Sequence, residues 1–183
     1  QYFRISHHIE RRYRGGLGDV LGLYVGGVEL RTVPGSPPSP GSARSFGVQT
    51  PVLLVWKPGG SRHTSEYIDH PDWKKTITKA GDQAVNVLSE MTWDETVWPK
   101  LLQESQTFAT ASKMVEEPTR RALLDSVRSV IQSHQLQTNI RIRLCMLGTS
   151  CVLLPTHLNK PLSEETFSTV CLLYTSPSPR DAT

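Results

Sequence analysis

The sequence predicts an α+β protein, and two changes of hydrophobic period carry that expectation. Between positions 71 and 135 apolar side chains recur every three or four residues, the repeat of amphipathic helices. From Asn139 the repeat shortens to two, as in a strand with one buried face, and Cys151–Leu154 follows as a continuous apolar run. The expected order is therefore a helical segment and then antiparallel β structure.

Taken in chain order, Val20–Val33 alternates around Gly26-Gly27, a dipeptide that supplies the positive φ values of a two-residue turn, so a β-hairpin is expected within 1–33. Pro34–Gly47 holds four Pro, four Ser and three Gly, too little apolar area to repay the entropy of ordering, and reads as a linker spanning 34–50. Val52–Trp56 is a short strand and Lys57–Ser65 a loop.

The first helix starts at Pro71, whose missing N–H costs nothing at the first helical position, and Asp72 faces the positive end of the dipole. Trp73, Ile77, Ala80, Ala84, Leu88 and Met91 form its apolar stripe. A second helix starts at Pro99 and turns Leu102, Phe108 and Val115 inward. A third starts at Pro118, buries Leu123, Leu124, Val127, Val130 and Ile131, and stops near Gln135. Positions 51–117 thus form a mainly helical region, and 118–170 a separate unit. In that unit Asn139–Met146 is a strand with Ile140, Ile142 and Leu144 inward and Arg141 and Arg143 outward; Gly148-Thr149 turns the chain, and Pro155 ends the returning strand.

The chain has 183 residues and a formal net charge of +3, room for one core and too little charge to argue for nucleic acid unaided. Arg11, Arg12 and Arg14 form a local basic cluster, read as a solvated terminus. No apolar run reaches the ~18 residues of a membrane span, and no signal-peptide pattern opens the chain. Cys145 and Cys151 are too few for a secreted disulfide scaffold and are not directly opposed in the simplest register. Two core thiols in a reducing, cytosolic setting are expected.

Several polar groups invite chemistry and are set aside. Lys57-Pro58-Gly59-Gly60-Ser61 lacks the Gly-Lys-Ser/Thr ending of a phosphate loop. His63 and His70, with Glu66 and Asp69, match no zinc spacing, so no metal and no cofactor is expected. His7-His8 reads as a solvated pair, and Tyr24 as part of the hairpin. His157, directly after the buried strand, stands at a rigid rim where an imidazole could exchange protons near neutral pH.

Met146-Leu147-Gly148 followed by Val152-Leu153-Leu154-Pro155-Thr156-His157 resembles the first hairpin of picornaviral 3C-type proteinases, in which a Leu-Pro-Thr-His run delivers the catalytic histidine. The likeness covers 118–170, including the helix before the hairpin. It implies an α+β chain in which a helical segment leads into the truncated start of a chymotrypsin-like antiparallel β-barrel. It further implies a cysteine endopeptidase with His157 as general base, a polyprotein peptide as substrate, viral RNA as a partner, and the host cytoplasm as location. The family's acid and its Gly-Cys-Gly nucleophile have no counterpart here. Glu164 and Glu165 follow His157 too closely and read as the first turn of a short helix capped by Ser163, while Cys145 and Cys151 belong to the hairpin itself. The alternatives are a non-enzymatic helical interaction or replication module of a viral polyprotein, genome-linked or RNA-associated, and a trypsin-like serine protease.

Cys171–Asp181 resembles translated transposon adapter from sequencing libraries, so 171–183 are expected to be non-native. A parent protein longer at both ends is the corresponding expectation.

Overall fold

The computed structural model describes residues 2–13, 18–33, 41–57, 69–136, 139–145 and 148–175. They fall into two compact units, Gln1–Gln49 with Ser61–Met114, and Thr50–Gly60 with Val115–Thr183.

The first unit contains helices α1 (Tyr2–Arg12) and α2 (Gly18–Val25), strands β1 (Val28–Val33) and β2 (Ser42–Phe46), and helices α3 (Pro71–Ser89) and α4 (Trp98–Ala111), the last entered through a 3-10 turn at Glu95–Val97. The expected hairpin around Gly26-Gly27 is not formed. Val20 and Leu21, adjacent in sequence, are both buried, as successive residues of a helix can be and those of a one-faced strand cannot. Gly26, at φ 73°, donates its N–H to the Gly22 carbonyl at 2.8 Å and ends α2. Positive φ at a Gly-Gly pair serves a helix C-terminus as well as a hairpin turn.

The expected linker is also shorter than read. Ser42–Phe46 pairs antiparallel with β1, with Leu30 opposite Arg44 and Val28 opposite Phe46. Positions 34–40 lie outside the described residues. Pairing places Phe46 against Trp93, ring centroids 5.8 Å apart in an edge-on geometry, and the Trp93 indole N–H donates to the Val28 carbonyl at 3.1 Å. Leu30, Leu88 and Val97 are the buried centre of this unit, with Val85, Met91 and Leu101 around them. The α3 stripe is as expected: Ala80 and Leu88 are buried, and Trp73, Ile77, Ala84 and Met91 half-buried. In α4 Leu102 is buried and Phe108 half-buried, but Val115 lies beyond the helix and packs in the second core instead.

The second unit consists of β3 (Leu53–Trp56), α5 (Pro118–Ser133), β4 (Ile140–Leu144), β5 (Ser150–Pro155) and α6 (Glu164–Thr175). Helix α5 has proline in its first turn, and the Glu117 carboxylate caps it by accepting the Arg120 N–H at 2.9 Å. The Arg120 guanidinium donates to the Gly148 carbonyl at 3.2 Å, joining the helix start to the β4–β5 connection. The strands form one antiparallel sheet in the order β3-β5-β4. Leu123, Leu124, Val127 and Ile131 of α5 share a core with Val55, Ile140, Cys151, Leu153, Leu162 and Val170. As expected, Ser163 caps α6, its hydroxyl accepting the Thr166 N–H at 3.2 Å. The helix runs through Cys171 to Thr175, into the tail set aside above; positions 176–183 lie outside the described residues.

The α+β class stands, but the described residues form no closed barrel. The sheet has three strands with a distinct strand at each edge, and one face rests on helices rather than on a second sheet. No helix among the described residues is long and apolar enough to cross a membrane.

Candidate functional site

The polar side of α3 borders a concavity among the described residues. Pro71, Lys74, Lys75, Thr78, Lys79, Asp82, Gln83 and Asn86 recur at helical spacing on this one helix and line a shallow, open groove of about 630 Å³. The helix holds this face in place through its opposite side, where Ala80 and Leu88 are buried. Near its start the Thr76 hydroxyl donates to the Asp72 carbonyl at 2.8 Å.

Three ammonium groups against the single carboxylate of Asp82 give the groove an excess of positive charge. Among the described residues none of Lys74, Lys75 and Lys79 is held in an ion pair. Lys75 and Lys79 stand four apart, a like-charge pair that costs a helix about 0.2–0.5 kcal/mol. An anion bound between them would reverse that sign. Thr78, Gln83 and Asn86 add neutral donors and acceptors. The groove therefore suits a small ligand with phosphate or carboxylate groups. Sequence reasoning passed over it because lysines opposite an apolar stripe read as a solvated face; the signal was their concentration in one turn and a half, between Asp72 and Asp82.

The groups singled out from sequence are dispersed. His157 is exposed in the bend after β5, its carbonyl accepting the Lys160 N–H at 3.0 Å, and no hydrogen bond to its ring occurs among the described residues. The run that precedes it has a structural role: Pro155 is buried opposite Ile140, and the Thr156 N–H donates to the Asn139 carbonyl at 3.0 Å, closing the sheet. Cys151 is fully buried opposite Leu144, and burial pushes its thiol up to about 12. Burial also raises the Cys145 thiol, against a smaller opposing effect of the Ser150 hydrogen bond. Both are free thiols, as expected, and poor nucleophiles.

His7-His8 is not a solvated pair. His7 is only 2% exposed and packs on the Phe3 ring one helical turn back, 5.9 Å between centroids, whereas His8 faces solvent. Tyr24 is exposed on α2 and touches Phe3. Asp69 and His70 are exposed; His63 and Glu66 lie outside the described residues, as do Arg14, the Arg11 side chain and positions 58–61 of the glycine-rich loop. No group of three potential metal ligands occurs among the described residues.

No family model matches the chain, and no solved structure matches it either. Two curated proteins do. Pantoate kinase of Thermococcus kodakarensis is 36% identical over 85 residues, 46% of this chain and 27% of that protein. Pantoate kinase of Methanocaldococcus jannaschii is 31% identical over 87 residues, 48% of this chain and 31% of that protein. The matched stretch thus spans less than a third of either relative. These similarities overturn the picornaviral 3C-type resemblance and the readings drawn from it, viral polyprotein, cysteine endopeptidase and viral replication module alike, since both relatives are named as kinases of a small metabolite. A four-residue Leu-Pro-Thr-His run misled because proline at the end of a buried strand, followed by polar residues, recurs wherever a sheet stops.

Proposed function

We propose that this chain is part of a small-molecule kinase that transfers a phosphoryl group from a nucleoside triphosphate to a hydroxyl of a small hydroxy-carboxylic acid, pantoate being the first candidate. The observation that carries the reading is the 36% identity to an archaeal pantoate kinase over 85 residues. The lysine groove of α3 supports it. Both substrates of such a reaction are anionic, and phosphoryl transfer depends chiefly on positioning and on neutralising charge. Lys74, Lys75 and Lys79 would draw the phosphates or the acceptor carboxylate into the groove. Thr78, Gln83 and Asn86 would orient them through hydrogen bonds.

The test is to titrate ATP and pantoate into the protein by calorimetry and to follow ADP release with pantoate and with other hydroxy acids. Saturable binding of either ligand, weakened in a Lys74→Ala/Lys75→Ala/Lys79→Ala variant, is the expected result. Binding that is unchanged in the variant removes the groove from the reading. Failure of both ligands to bind, together with no acceptor-dependent ADP release, overturns the kinase reading itself.

A further inference from the structure

We draw no further inference here: the strongest candidate, the exposed apolar stripe of Ile5, Ile9 and Tyr13 along α1 beside the exposed row of Arg4, His8 and Arg12, carries nothing because nothing in the structure shows what covers it.

Discussion

A methyl group placed on Gly27 would overlap the carbonyl oxygen of Phe46, the residue paired across from its neighbour Val28. Gly27 and Gly26 both hold positive φ, at 68° and 73°, but nothing lies within 4 Å of the corresponding point on Gly26. The two glycines therefore separate backbone conformation from close approach. Gly26→Ala should cost about 1–2 kcal/mol, the strain of a left-handed alanine. Gly27→Ala should cost more, because β2 must also move away from β1. Chemical denaturation of the two variants checks the order, and equal losses would refute the close approach.

Leu153 has no exposed surface and sits between Leu53 and Ile142 on the inner face of the sheet. Leu153→Ala should destabilise the second unit by roughly 2–5 kcal/mol, the transfer loss plus the cavity left behind. On the outer face Leu54→Ala, at a half-exposed position, should cost under about 1 kcal/mol. Thermal melts of the pair report the contrast. A larger loss at Leu54 would mean that the sheet is inverted.

The buried Cys151 thiol is raised from 9.0 to about 12, so folding favours its neutral form. The sign follows: the stability this contributes is complete below pH 9, where both states hold the proton, and is lost as pH rises from 9 towards 12 and the unfolded chain ionises first. Denaturation midpoints should fall over that window, and the fall should be smaller in Cys151→Ala. Among the described thiols Cys171, being exposed, should react with a disulfide reagent at pH 8 well before Cys151 does. Equal rates would contradict the burial.

Asp94 accepts both the hydroxyl and the N–H of Thr96, and those two hydrogen bonds hold its carboxyl below the ordinary 3.8. With the folded value depressed, the contribution is present above the unfolded value and is lost as pH falls below about 4. Asp94→Ala should lower the melting temperature at pH 7 and remove part of the acid sensitivity, read from melts at pH 7 and pH 3. A variant as stable as the parent at both pH values would place the cap elsewhere.

What the sequence showed of the fold depended on how local each signal was. Pro118 and the Ser163 cap mark helix starts within a few residues of themselves, and both helices begin where expected. Strand β2 was hidden among Ser and Gly because its order comes from pairing Ser45 with Glu29, which composition does not record. Similarly Val52–Trp56 was legible as extended, but not that Leu53 pairs with Leu153. The Gly26-Gly27 dipeptide specified a backbone conformation without specifying what it joined. For the candidate site the residues were visible and their grouping was not, since a polar helix face looks the same whether it meets water or a ligand.

Lys75 and Lys79 provide a test in which stability and binding should move in opposite directions. The pair stands four apart on α3 with no ion-pair partner among the described residues, so each raises the other's cost in the free helix. Lys75→Gln removes that repulsion while keeping helix propensity, and should raise stability by about 0.2–0.5 kcal/mol. It also removes one of three cations from the groove, and should weaken binding of an anionic probe such as pyrophosphate several-fold at low salt, with a smaller effect at high salt as screening takes over. A solvated face would show only the gain in stability. A variant that is stabilised and still binds pyrophosphate like the parent would therefore exclude this groove as the anion site.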